Sequence, residues 1–192
     1  GLIKRFGAID DSEGGFTGRS NINALMTKVL DDGSTVRNQL FYSQYNFELY
    51  SNFTFFLNDP IHGDAIRQKE NRRIYGYSGI YSKDVTFFGK PLMTESGVGI
   101  RYDDVTDSEL SNVRRRRHIG LITKGNIDQI NSSVFTQASW NLNSRLNITA
   151  GLRFDAFSFQ YRVEFIDRNV LDGFDFARIP ADFDRIHFGR FA

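Results

Sequence analysis

Residues 133–155 read SVFTQASWNLNSRLNITAGLRFD. Val134, Thr136, Ala138 and Trp140 alternate with Gln137 and Ser139. After a short Asn-rich turn, Leu146, Ile148, Ala150, Leu152 and Phe154 alternate with Asn147, Thr149, Gly151, Arg153 and Asp155. A period of two sends successive side chains to opposite faces of a sheet, so this stretch is a hairpin with one apolar and one polar face. A soluble sandwich alternates in the same way. The decision rests on how the pattern recurs along the chain.

Working outward, six strands are predicted, over about 16–30, 34–57, 72–88, 92–103, 126–140 and 145–162. In the first, Ile22, Ala24 and Met26 oppose Arg19, Asn21 and Asn23. In the second, Tyr45, Phe47, Leu49, Phe53 and Phe55 oppose Gln44, Asn46, Glu48, Asn52 and Thr54. In the third, Tyr75, Tyr77 and Tyr81 share a face, but Ile74 and Ile80 lie opposite, which leaves its orientation open. In the fourth, Leu92, Val98, Ile100 and Tyr102 oppose Glu95, Gly97, Gly99, Arg101 and Asp103.

Short turns are expected at Asp31-Asp32-Gly33, Gly89-Lys90-Pro91 and Asn141–Ser144. Long polar loops are expected at 1–15, 58–71, 104–125 and 163–192. Short and long connections therefore alternate, which gathers every tight turn at one end of an antiparallel meander. Transmembrane barrels sort their loops in this way, and a soluble meander has no reason to. Charges such as Glu48, Glu95, Arg101, Arg153 and Asp155 on the second face suit a wet lumen rather than a dry core. The fold class expected is all-β, an antiparallel up-and-down meander of about six strands forming part of a larger transmembrane β-barrel.

Composition agrees. The chain has 19 Phe and 8 Tyr but only 3 Pro, a balance that favours strands. Net charge is +1, so no bulk field argues for nucleic acid. No stretch is long and apolar enough for a membrane helix, a test that barrels escape through alternation. There is no Cys, no His cluster with metal-ligand spacing, and no P-loop, dinucleotide fingerprint or nucleophile elbow. No catalytic residue, metal or cofactor is expected.

At this point the chain resembles the barrel of TonB-dependent outer-membrane receptors. The resemblance rests on VFTQASWNLNSRLNITAGLRFD at 134–155, with its Trp near a short turn and its Gly-Leu-Arg-aromatic-Asp run. It rests also on RFGAIDDSEGGFTGRSNINA at 5–24 and NFTFFLNDPIHGD at 52–64. It covers about 5–165 and implies a Gram-negative outer-membrane location. It implies a barrel of about twenty-two strands around an N-terminal plug. Six strands, with neither plug nor energy-coupling box, suggest a segment of such a barrel. Implied partners are the TonB complex acting through a plug, a ferric chelate or other small nutrient, and outer-membrane lipid with lipopolysaccharide. A passive porin-like or adhesive barrel, and a soluble carbohydrate-binding β-protein, are the competing readings.

Candidate ligand-binding residues are the guanidinium and phenol groups expected near the outer ends of strands. They are Arg72, Arg73, Tyr75, Tyr77, Arg101, Tyr161 and the run Arg114, Arg115, Arg116, Arg117. Arginine suits anionic chelates through paired hydrogen bonds, and aromatics add stacking. For 114–117, capture of an anionic chelate and binding to lipopolysaccharide compete with a solvated loop charge run, which is the simpler reading. Glu48, Glu95, Arg153 and Asp155 are expected to form a lumen network. Trp140, Tyr102 and Phe154 are placed at the membrane interface. His62, His118 and His187 are scattered over separate loops and make a weak case for haem.

Overall fold

The computed structural model describes residues 10–167 and the backbone of 186–191. Within it the chain is one antiparallel meander. The strands are β1 (Gly14–Val29), β2 (Thr35–Ser51), β3 (Ile66–Phe87), β4 (Lys90–Arg114), β5 (Arg117–Asn143), β6 (Leu146–Ile166) and a short β7 (Ile186–Phe191). Each pairs with its sequence neighbours in the order β1 to β7. The sheet is open, with β1 and β7 as its edges. Such edges need pairing or cover in lipid, where backbone polar groups have no water to bond.

Three connections at one end are short, and each has a local cause. Between β1 and β2, Gly33 takes a φ of 81° and Asp32 accepts from the Ser34 amide at 3.1 Å. Between β3 and β4, Phe88 and Gly89 both have positive φ, 49° and 70°, the backbone of a two-residue hairpin turn. Between β5 and β6, the Arg145 amide donates to Asn143 Oδ1 at 2.9 Å. At the other end, residues 52–65 form a loop closed on Asp64. Its carboxylate accepts from the Asn58 amide at 2.9 Å and the Asp59 amide at 2.7 Å.

Two expected loops are corrected here. Residues 104–125 are not a loop. β4 and β5 continue as a hairpin that turns on Arg115 and Arg116, with φ of 48° and 64°. The polar sequence there misled because strands standing in water on both faces need no apolar side. The expected loop 163–192 carries the end of β6 and the short strand β7, while 168–185 and 192 lie outside the described residues, as do 1–9. Likewise β2 ends at Ser51, so Phe53 and Phe55 belong to the loop, and β3 begins at Ile66.

Register assigns the faces. Tyr42 pairs with Tyr75, Tyr75 with Tyr102 and Tyr102 with Ile130. Val98 pairs with Val134, and Val134 with Phe154. The tyrosines of β3 therefore lie on the apolar face, and Ile74 and Ile80 on the other. Almost nothing covers that apolar face: Leu152 is 80 % exposed and Ile22 69 %. Among the described residues the buried apolar side chains are Ile74, Val105 and Val113. A sheet of this size with so little dry core needs another apolar phase against it, and hydrocarbon supplies one.

Candidate functional site

The apolar band can be measured on single strands. On β5 the apolar face runs from Trp140 to Ile130, and on β4 from Leu92 to Tyr102, without a charge. Ten residues extend about 33 Å, which at a tilt near 45° spans about 24 Å, the height of a barrel's lipid band. At the turn end, Trp140 packs edge-on to Phe87 at 5.3 Å and beside Phe88 at 6.3 Å. At the far end Tyr75 lies tilted against Tyr42 at 5.1 Å and stacks on Tyr102 at 6.2 Å. Trp140 and Tyr102 thus mark the two ends of the uncharged run. Phe154 does not. It pairs with Val134 in mid-band, and its place is corrected from the interface to the lipid-facing wall.

Beyond the band the same face turns charged along one register row, Arg73–Asp104–Asp128. Arg73 meets Asp104 at 3.7 Å, and Asp128 takes Arg162 at 2.6 Å. Higher up, Arg67 bridges Glu48 at 2.7 Å and Glu109 at 3.3 Å. Lys124 joins Asp107 at 3.4 Å to Glu164 at 3.2 Å. Hydrogen bonding from Tyr50, with Arg67 beside it, holds the Glu48 carboxyl below its ordinary range despite partial burial. Burial pushes Asp107 up, but Lys69 and Lys124 outweigh it and the net shift is downward. Glu48 therefore belongs to an ion ladder on the lipid-side face, above the lipid, and not to the lumen.

The inner face carries a different set. Asp103, 2 % exposed, accepts two hydrogen bonds from Arg101, at 2.6 and 2.7 Å, and lies 3.6 Å from Arg72. Arg72 also reaches Glu70 at 3.3 Å. Arg153 grips Asp155 through bonds of 2.7 and 2.8 Å. Glu95 accepts from Ser82 at 3.1 Å and from Gln137. Paired charges on a face with little dry cover fit a hydrated lumen.

The structure thus divides the candidate ligand residues. Arg72, Arg101 and Tyr161 are inward. Arg73, Tyr75 and Tyr77 lie on the lipid-side face, so the expected cluster at the start of β3 is split between two faces. Tyr77 donates to Asn38 at 2.7 Å within that wall. The Arg run forms the tip of the β4–β5 hairpin, where Arg116 donates to the Ser12 carbonyl at 2.8 Å and the Glu13 carbonyl at 2.9 Å. Its guanidinium also lies 5.2 Å over the Tyr50 ring. Arg116 is thus a latch between strand ends distant in sequence.

The latch gathers residues that sequence reasoning did not connect. Asp10, Asp11, Asn52, Phe55, Phe56, Arg114 and Arg115 line a cleft of about 360 Å³ at the long-loop end. Asn52 donates from its amide side chain to Asp10 at 2.9 Å and from its backbone to Glu13 at 2.9 Å. Bonds from Asn52 and Ser12 hold the Asp10 carboxyl below its ordinary range. His62 lies against Asp59 at 3.0 Å, apart from His118, and the side chain of His187 lies outside the described residues. No group of metal-binding side chains forms among the described residues. A second missed feature is Lys83 on Asp32 at 2.7 Å, an ion pair near the short-turn end.

Compared with known families, residues 5–181 match the model described as TonB dependent receptor-like, beta-barrel. No curated protein matches the chain significantly.

Proposed function

Because the chain belongs to the TonB-dependent receptor β-barrel family, we propose that it forms the wall of an outer-membrane receptor that imports a scarce nutrient with TonB-supplied energy. The observation that carries this reading is the division of one sheet into a bare apolar band and a charged inner face. A barrel wall must be apolar toward lipid and polar toward a filled or hydrated lumen. Nutrient would arrive at the long-loop end, and the energy complex would act through a plug, so transport involves no covalent chemistry. A ferric siderophore is the substrate the family resemblance favours, with Arg72 and Arg101 lining the route. Lipopolysaccharide would lie against the projecting ion ladder, whose cations are already paired with carboxylates.

A passive porin-like barrel shares the same wall. The two readings part on energy. Collapsing the proton-motive force in cells carrying the intact receptor stops energised uptake and leaves a passive pore conducting. Continued uptake at the original rate would refute the receptor reading.

A further inference from the structure

We propose that the cleft at the long-loop end receives a small zwitterion with an apolar body, of the class of short peptides and aromatic amino acids. The inference rests on taking this end as the nutrient-receiving end, but not on the nutrient being a metal chelate.

Three observations converge. First, the cleft is bipolar. Asp11 lies at its wall, as do Arg114 and Arg115, and all three are exposed. None of the three makes a salt bridge among the described residues, although almost every charge on the neighbouring ladder is paired. Asp10 is different: both of its oxygens are engaged, by Ser12 and by Asn52. Among the described residues Asp11 and Arg114 thus have no ionic partner and Arg115 has only the nearby charge of Asp10, and a ligand that satisfies both signs carries an ammonium and a carboxylate.

Second, the cleft lining includes two aromatic rings. Phe55 is 40 % exposed and Phe56 58 % exposed, and the loop that presents them is held by the Asp64 carboxylate. Phe55 takes a φ of 57° within that loop, and Arg115 one of 48° as the first residue of the hairpin turn. The cleft volume lies at the small end of ligand pockets, which suits one or two amino-acid units.

Third, lipid is out of reach. β4 runs from Asp104, where the charged row begins, to Arg114 at the tip. Those ten residues stand about 24 Å beyond the apolar band at the usual tilt. Arg114 and Arg115 at the hairpin tip therefore face solutes rather than lipid headgroups.

The test uses the intact receptor in detergent, with binding measured by equilibrium dialysis. The probes are the dipeptide phenylalanyl-leucine, its N-acetyl form and its C-terminal amide. The free dipeptide is expected to bind, and each blocked form to bind about tenfold more weakly, the loss of one charge-assisted contact. Asp11→Asn should abolish the penalty for acetylation and keep that for amidation. Arg114→Gln with Arg115→Asn should do the reverse, and Asn tolerates the left-handed backbone at 115. Heat-modifiable migration on gels checks that each variant remains folded. The proposal is overturned if blocked and free forms bind alike, if the penalties ignore the variants, or if no form binds at millimolar concentration. Binding needs no energy input, so the outcome is independent of whether uptake depends on TonB.

Discussion

Placing a positive charge at residue 134 tests which face of the sheet meets lipid. Val134 lies six residues from Trp140 and four from Ile130, and its register partners are Val98 and Phe154. Six residues rise about 14 Å within a band of about 24 Å, so the site is near the midplane. An arginine there costs about 2–4 kcal/mol, equivalent to roughly 30- to 700-fold in the folding equilibrium. Gln137→Arg is the control. It lies three residues away, faces inward, and would place its cation beside Glu95, so its cost should stay below about 1 kcal/mol. The assay is folding of the intact receptor into lipid vesicles across a urea titration, followed by heat-modifiable migration. Equal penalties for Val134→Arg and Gln137→Arg, or a larger one for the control, would refute the assignment of faces and with it the membrane reading.

Three further outcomes follow from the inner face and the ladder. Asp103→Asn removes the shared partner of Arg101 and Arg72, and the same titration should show a loss of about 2 kcal/mol, with the half-exposed arginines moderating a buried-pair penalty. Gly76→Ala drives a methyl into the Phe41 ring across the strand pair, so overpacking should cost about 1–3 kcal/mol, whereas Gly33→Asn, at an open positive-φ turn, should cost far less. In the ladder, Glu48 and Asp107 have folded-state values below their unfolded ones, so the unfolded chain takes up protons first. Their stabilisation is complete above the unfolded values and is lost as pH falls through the folded ones. Hydrogen exchange in the projecting β4–β5 hairpin should therefore accelerate below about pH 4, while exchange within the band should not.

The fold was legible where one face must be apolar. Trp140 to Val134 and Leu146 to Phe154 carry an alternation that a one-residue slip would invert, so sequence alone sets their faces. Legibility fails where the sheet leaves lipid. On β2 the outward apolar residues end at Leu40 and Tyr42, and the inward face then takes the aromatics Tyr45 and Phe47. The adjacent pair Phe41-Tyr42 marks that exchange. Reading one continuous apolar face through Phe55 therefore put Glu48 on the wrong side. The same cause hid the upper β4–β5 hairpin, where water on both sides leaves a strand as polar as a loop. The cleft was illegible for a different reason. Asp11, Phe56 and Arg115 line one cleft beside the Arg116 latch to the Ser12 and Glu13 carbonyls, and a bond to a backbone carbonyl requires no particular side chain at its acceptor. Sequence could expose the four arginines as unusual. It could not show that one of them latches the end of the sheet while, among the described residues, Arg114 makes no ion pair and Arg115 lies near Asp10 alone.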